Sequence, residues 1–357
     1  MVVLLRVVLD QLVAPSNPDF AVASRGLAEG LIRVAPQGCG VEAILPAGEG
    51  GELEGAATTR RLRWGRRELV AAWPMGVPSG MGSGMFHSPT LLSPMMRHDR
   101  AHDATQTVAT LWNLEAWEAP ERLPRAHVGW QRAMLRRVAR HADAVVVPSH
   151  AIAERLAELA PVRERTRVIA GAAPIGFSVP DDAEERRREL SLPEEYVVVV
   201  GDETTLYAGF VAAAAVDLPA VVVDAKEGQE PAWAAIAAEA GLAENRAHIR
   251  LWLDDDDRAA VLHGASVVIG TSPRSAWPWR IIEAMTLGVP VVAVDSGVHR
   301  DVVADGGEVV AEADLADAVR GVVGETTERA QVLAADRARA FSWLSSAERV
   351  WALHADL

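Results

Sequence analysis

The sequence predicts an α/β protein made of two doubly wound parallel-sheet domains in tandem. Three observations carry that expectation. The chain has 357 residues, about twice the ~150 residues usual for one domain. Short apolar runs alternate with longer amphipathic segments rich in Ala and Arg, the pattern of strands that cross through helices to parallel neighbours. The alternation also breaks once, over Val168–Pro180, where Gly171, Pro174, Gly176 and Pro180 punctuate a stretch without helical period, and then restarts. Ligands of such sheets sit beyond the carboxyl ends of the strands, so two domains facing each other would enclose a cleft.

The elements follow in order. Val2–Leu9 is a buried first strand, apolar but for one Arg and ended by Asp10. It is too short for a signal-peptide core with its cleavage site, or for a membrane span. Ala21–Ala35 is a helix with Asn17 or Asp19 near its start, Val41–Leu45 a strand stopped by Pro46, and Val108–Leu111 another. Pro124–His141 is a long helix, Asp143–Val147 a strand, and Ser149 caps a helix running to Leu159. Beyond the break an acidic helix spans Asp181–Leu190. Strands are expected at Val197–Val200, Ala220–Asp224, His248–Leu251, Val267–Ile269 and Val291–Val294. Helices are expected at Trp233–Ala240, Asp255–Gly264 and Ile281–Leu287. The last helix, Ala347–His354, carries an apolar stripe of Ala347, Val350, Trp351 and Leu353 that needs a partner. The domains are placed at 1–167 and 168–341, with 342–357 returning to the first.

Composition restricts the function classes. Hydrophobic residues are 50% and charged residues 24%, which excludes a disordered or fibrous chain. The single Cys39 excludes a disulfide framework or a multi-cysteine metal site and fits a reducing cytoplasm. A net charge of −14 disfavours nucleic acid and bulk anionic membrane as partners. Lys226 is the only lysine; with the abundant Ala, that preference for Arg suggests a GC-rich bacterial genome. No Walker loop, Gly-x-Ser-x-Gly elbow or Cys/His cluster is present.

The chemistry concentrates in Thr271–Arg300, TSPRSAWPWRIIEAMTLGVPVVAVDSGVHR, which gives strand, loop, short helix, Gly288 stop and a strand opened by Pro290. The loop Ser272–Pro278 feeds a helix N-terminus, whose free N–H groups suit a phosphate or pyrophosphate. Glu283 lies in that helix, and a carboxylate suits the two vicinal hydroxyls of a ribose. Arg274 and Arg280 flank the loop and can chelate phosphate oxygens.

This segment resembles the signature of the family-4 retaining glycosyltransferases of the GT-B fold, P-S-x-x-E-G-F-G-x-x-x-x-E-A-M-A-x-G-x-P-V-V-A. The matching residues are Glu283-Ala284-Met285 and Gly288-Val289-Pro290-Val291-Val292-Ala293. His299–Val303, Asp305-Gly306-Gly307, Val145–Ser149 and Phe341-Ser342-Trp343 match further family segments, so the resemblance extends over nearly the whole chain. It implies two Rossmann-like domains and transfer of a hexose, with retention and without a metal or resident cofactor, from a nucleotide-diphosphate sugar to a glycan or lipid-linked acceptor. It implies a donor site of Glu283, Ser275, Ala276, Trp277, Arg274, Arg280 and Gly201. His87 and Trp112, with Pro15–Asp19, are the acceptor-side candidates. The chain departs from the pattern at the sugar and diphosphate contacts. Ser275 replaces the first Glu of the Glu-x7-Glu pair, Asp202 and Tyr207 replace a pyrophosphate-binding Arg and Lys, and Trp112-Asn113 replaces a His-Asp pair. An alternative therefore stands beside the enzyme: a non-catalytic binding or assembly protein on the same fold.

Four other groups complete the reading. Asp254–Asp257 runs into Arg258 and an apolar helix start, and is expected to cap that helix and not to bind a metal. Gly80–Gly84 precedes the apolar Met85-Phe86 and is expected to be a surface loop and not a phosphate loop. Arg60, Arg61, Arg63, Arg66 and Arg67 surround Trp64, a basic patch suited to peripheral contact with anionic membrane at the inner face of the plasma membrane. Glu115, Glu118 and Glu121 form an acidic loop after the Trp112 strand, with one of them available as a general base.

Overall fold

A computed structural model of the chain describes residues 2–77, 80–95, 97–98, 105–324 and 327–357. Its contacts divide it into two units. One is Met1–Ala172 with Ser275–Trp277 and Ser342–Leu357; the other is Ala173–Arg274 with Pro278–Phe341.

The first unit is built on β1 (Val3–Val8), α1 (Pro18–Arg33), β2 (Cys39–Leu45), β3 (Thr58–Arg61), α2 (Arg66–Ala72), β4 (Met85–Ser88), β5 (Gln106–Thr110), α3 (Glu115–Glu118), α4 (Arg125–His141), β6 (Ala144–Val147), α5 (His150–Leu159) and β7 (Thr166–Val168). Its seven strands are parallel, in the order β3-β2-β1-β4-β5-β6-β7. The order reverses between β1 and β4, and that switch point is where an open α/β sheet forms its ligand crevice. Local chemistry sets the helix starts. Asn17 accepts from Asp19 N–H ahead of Pro18, and Ser149 accepts from Ile152 N–H. The C-terminal helix, Trp343–Asp356, completes the unit. Its buried stripe lies on α1, and Trp351 Nε1 donates to the Leu31 carbonyl at 3.0 Å.

The second unit contains α6 (Ala183–Glu189), β8 (Val197–Val200), α7 (Leu206–Ala215), β9 (Ala220–Ala225), α8 (Glu230–Glu239), β10 (Ala247–Leu251), α9 (Asp255–His263), β11 (Val268–Gly270), α10 (Trp279–Thr286), β12 (Val291–Val294), α11 (Gly297–Val303), β13 (Glu308–Val310), α12 (Leu315–Val323) and α13 (Thr327–Ala338). Six parallel strands run β10-β9-β8-β11-β12-β13, with the switch point between β8 and β11. The strands Val197–Val200 and Val291–Val294 are continuous Val-rich runs because helices cover both faces. The two doubly wound sheets make this a protein of two Rossmann-like domains. Among the described residues no helix is long and apolar enough to cross a membrane.

Candidate functional site

In the second unit the switch point is built from the ends of β8 and β11. Gly201 follows β8 so closely that a Cβ there would lie 2.0 Å from Thr271 Oγ1 and 2.7 Å from Thr205 Oγ1, so only glycine fits. The two hydroxyls bond each other at 3.1 Å. Asp202 accepts from Thr204 N–H at 2.9 Å and pairs with Arg274, which also donates to Thr204 Oγ1 at 2.7 Å. Arg274 thus does reach the switch point, where it neutralises the Asp that the sequence sets in place of a cation.

Glu283 and Arg280 belong to a different arrangement. Arg258, fully buried at the start of α9, forks onto Glu283 with Nε–Oε2 at 2.9 Å and Nη2–Oε1 at 3.0 Å. Arg280 Nη1 reaches both Glu283 oxygens at 2.8 Å, and its Nε reaches Asp224 Oδ2 at 2.6 Å. The Trp252 ring lies 5.1 Å from the Arg258 guanidinium and 4.8 Å from that of Arg280. Each Glu283 oxygen therefore accepts two hydrogen bonds. Arg258 Nη2 also donates to Asp255 Oδ1 at 2.7 Å, so two guanidinium groups are held by three carboxylates, and Asp224 takes part from a left-handed backbone, φ +66°. The sequence singled out Glu283 and Arg280 but not Arg258, Trp252 or Asp224. The one available signal was an Arg opening the apolar run Ala259–Leu262.

Ser275, Ala276 and Trp277 fall in the first unit. Ser275 N and Oγ donate to Glu118 at 2.8 and 2.7 Å, Ala276 bridges Asn113, and Trp277 N–H donates to the Trp112 carbonyl at 2.9 Å. The N–H group of Trp277, one of those in Ala276–Trp279 expected to be available to a phosphate, is already engaged, as is that of Ser275. Glu118 is likewise committed as the partner of Ser275 and not as a free base.

The acceptor-side candidates separate. Trp112 lines a pocket at the carboxyl edge of the first sheet, beside Ser16 of the expected acceptor region and Phe20 just after it. His87 does not. It lies inside β4, paired in register with Val7 and Val108, and is fully buried. Its Nδ1 is 3.3 Å from His354 Nε2, and His354 Nδ1 is 3.0 Å from Gln106 Oε1. Burial lowers the pKa of His87 well below the usual imidazole range, helped by His354, and lowers that of His354 to about 4. The pair is neutral and joins the sheet to the C-terminal helix.

The pocket's own residues were mostly invisible in the sequence. Asp10, fully buried at the end of β1, accepts from Arg66 Nε at 2.8 Å, Gln11 Nε2 at 2.6 Å and Thr90 Oγ1 at 3.1 Å. Burial pushes its carboxyl up, against the pull of Arg66. Burial pulls His127 down; its Nε2 lies 2.7 Å from the Gln131 amide.

The arginine patch is not one surface. Arg60 pairs with Glu42 at 2.8 Å, Arg61 with Glu52 at 2.9 Å, and Arg66 with Asp10, while Trp64 packs partly buried on the core around Trp73. Arg63, in the bend between β3 and α2, and Arg67, in α2, are exposed. Asp254 caps α9 by accepting from Asp257 N–H at 2.9 Å. Met81 of the Gly80–Gly84 loop is buried, and its carbonyl accepts from Arg6.

Comparison with known proteins adds the chemistry. Residues 192–335, about two fifths of the chain, match the family described as glycosyl transferases group 1. No curated protein matches the chain in sequence. Among solved structures, the chain is similar to sucrose-phosphate synthase from Thermosynechococcus elongatus: 18% identity, TM-score 0.70, covering 99% of this chain and 98% of that one. It is also similar to HepE of Anabaena in complex with UDP-glucose, at 17% identity and TM-score 0.68 over 99% and 100% of the two chains. A third is WaaG, a glycosyltransferase involved in lipopolysaccharide biosynthesis, at 14% identity and TM-score 0.63 over 98% of each. At these identities the structures speak for the fold. The match of the second unit supports glycosyl transfer.

Proposed function

We propose that the chain transfers a hexose from a nucleotide-diphosphate sugar to an acceptor, with retention and without a metal. The observation that carries this reading is the switch point of the matched segment, where Gly201, Thr205, Thr271 and Arg274 converge. The diphosphate would lie against this cradle, and Arg274 would exchange Asp202 for phosphate oxygens. As the sugar C1–O bond to the diphosphate breaks, the acceptor oxygen bonds to C1 on the same face and its proton passes to a diphosphate oxygen. Stabilising the charge on the leaving diphosphate is then the main task of the protein. Arg274 would do this in place of a metal cation. Glu283 acts as a positioning residue in this reading, because its oxygens hold Arg258 and Arg280. A ribose would reach it only by displacing one of them.

The second reading, a non-catalytic binding protein, is favoured by two contacts. Asp202 already occupies Arg274, and Glu118 already occupies Ser275. The test is turnover of nucleotide sugars, starting with UDP-glucose because structures of the Anabaena relative hold UDP and UDP-glucose. It is combined with calorimetric titration of UDP and GDP in the presence of EDTA. Transfer or donor hydrolysis that survives EDTA is expected. Nucleotide binding without turnover of any donor would select the second reading, and absence of both would remove the first.

A further inference from the structure

We infer that the groove between α4 and α5 seats an acidic, amphipathic helix of a partner protein. Helix α4 leads into the start of β6, and α5 leads toward the start of β7. The C-terminal halves of both helices therefore carry the groove to the amino edge of the first sheet, away from the carboxyl edge where ligands of such a sheet sit. It shares no lining residue with the pocket beside Trp112. The inference is independent of the transferase reading.

The seat is apolar and preformed. Trp117, Leu135, Ala139 and Leu159–Pro161 line a space of about 400 Å³, and Arg132, Arg136 and Arg140 complete its wall. A ring the size of benzene fits a cavity of about 150 Å³, so the groove has room for two large apolar side chains. Its width is fixed by Arg165, which donates to the Ala139 carbonyl at 2.7 Å and to the Pro161 carbonyl at 3.4 Å, one on each side. Arg132 donates to the Ala116 carbonyl at 3.2 and 2.8 Å and ties α4 to α3. A seat already held open costs a partner less ordering on binding.

Charge names the occupant. Helix α4 carries five arginines and no acidic residue in 17 positions, in a chain of net charge −14. The three in the groove stand at i, i+4 and i+8, so they repeat about every 6 Å along the helix axis. A helix laid alongside repeats its own i and i+4 positions at the same distance, and a row of Glu then meets the row of Arg one to one. Arg136 is exposed and pairs with no carboxylate among the described residues. The acids next to lining residues in the chain, Glu118 and Glu158, are both paired with Arg155. An anionic bilayer is the competing occupant, but it takes up apolar side chains that protrude. Among the described residues of α3, α4 and α5 no large hydrophobic side chain is exposed. The apolar surface is recessed between arginines, a relief that the projecting side chains of a helix fill. Exposed ion pairs are individually weak, so the groove supplies affinity while the arginines set orientation and partner choice.

The experiment is fluorescence anisotropy on the full chain with two labelled helix-forming peptides of about 16 residues, some four turns. Both carry Leu along one face; one has Glu and the other Lys on the flanking positions. The Glu peptide is expected to bind with a Kd below about 1 mM, at least about tenfold tighter than the Lys peptide, and to weaken as salt is raised. Arg136→Glu with Arg140→Glu changes two exposed side chains and should reverse the preference, so that the Lys peptide binds about tenfold better. Ala139→Leu fills the seat and should abolish binding of the Glu peptide without lowering the thermal midpoint. Should that variant melt early, the charge reversal decides. Vesicles of phosphatidylglycerol are expected not to retain the protein. Failure of the Glu peptide to bind, equal binding of the two peptides, or a charge-reversed variant that still prefers Glu would each overturn the inference. So would full binding by a stable Ala139→Leu variant. Retention on the vesicles that the charge reversal abolishes would overturn it too, and would give this face to a membrane.

Discussion

At the scale of the residue, Asp202 decides how well the switch point of the second unit can accept a diphosphate. Its carboxylate occupies Arg274 and would face the incoming phosphates. Two unit charges about 4 Å apart repel by roughly 1–4 kcal/mol at effective dielectrics of 80 to 20. Asp202→Asn keeps the side-chain oxygen that accepts from Thr204 N–H and removes the charge. It is expected to tighten UDP or GDP binding about tenfold or more, and Arg274→Ala to weaken it by a similar factor, both read by calorimetry. Equal affinities in the wild type and both variants would place the diphosphate elsewhere. Glu283 calls for a different experiment. Replacing it with Ala removes the one carboxylate that Arg258 and Arg280 share and leaves them only Asp255 and Asp224, a loss of up to about 3–5 kcal/mol, so lost activity in that variant would report unfolding. Glu283→Gln is milder, and its thermal midpoint should fall less than that of Glu283→Ala. The sequence showed Glu283 as a lone helix carboxylate because its partner Arg258 is 25 residues away, in a segment whose capping aspartates were the visible feature.

Elements were legible wherever a periodic pattern met a boundary signal. Val197–Val200 and Val291–Val294 fall where the sequence puts them, and Ser149 and Asp254 cap the helices expected of them. Helix α7 was missed because LYAGFVAAAA is apolar along nearly its whole length, with six of its ten residues lying in or packed on the core, and offers no period. Strands β3, at the sheet edge, and β4, between β1 and β5, were missed or shortened because four-residue strands carrying Arg or His look like loop. That shortening put His87 beyond a strand end when it sits within the strand. The contact between α1 and the C-terminal helix also depends on something periodicity does not reveal. A Cβ on Gly26 would meet the Trp343 indole at 2.5 Å, and one on Gly30 the Trp343 carbonyl oxygen at 2.7 Å. Both sit in a helix with ordinary φ, where Ala would gain about 1 kcal/mol of propensity in isolation. Gly30→Ala is nevertheless expected to lower stability by about 1–3 kcal/mol, because the clash is with backbone; a raised thermal midpoint would contradict the packing.

The same helix contact carries a pH dependence. His354 has a folded pKa of about 4, below the 6.5 of an unperturbed imidazole, and His87 is shifted in the same direction. The unfolded chain then binds more protons between those values, so the contribution to stability is complete above about pH 6.5 and is lost as pH falls through 4. Two and a half pKa units correspond to about 3 kcal/mol. His354→Gln, which can still bond Gln106, should show a shallower fall of thermal midpoint between pH 6.5 and 4 than the wild type. Parallel curves would mean that the imidazoles titrate normally.

For the whole molecule, chain order matters more than composition. The two-sheet architecture was legible because the alternation of runs breaks once and restarts. The three-residue segment Ser275–Trp277 was not, since its partners Trp112, Asn113 and Glu118 lie about 160 residues earlier and no local pattern joins them. The first unit is also finished only by the last residues of the chain, Ser342–Leu357, after the whole of the second unit has intervened. Those residues bury Trp343, Ala347, Val350 and Trp351. Two Trp side chains bury on the order of 400 Å², about 10 kcal/mol at 25 cal/mol/Å² before entropic losses, which is comparable with the whole stability of a typical domain. Ending the chain at Phe341 would expose the Gly26–Gly30 face of α1 and leave His87 without its partner. The second unit keeps every strand, its core cluster and the Gly201–Arg274 switch point. The truncated chain is therefore expected to expose apolar surface to a hydrophobic dye and to lose the thermal transition of the first unit, while a UDP-responsive thermal transition persists. If it instead keeps the wild-type melting profile and binds no dye, the C-terminal helix is an ornament on the first unit and not part of its core.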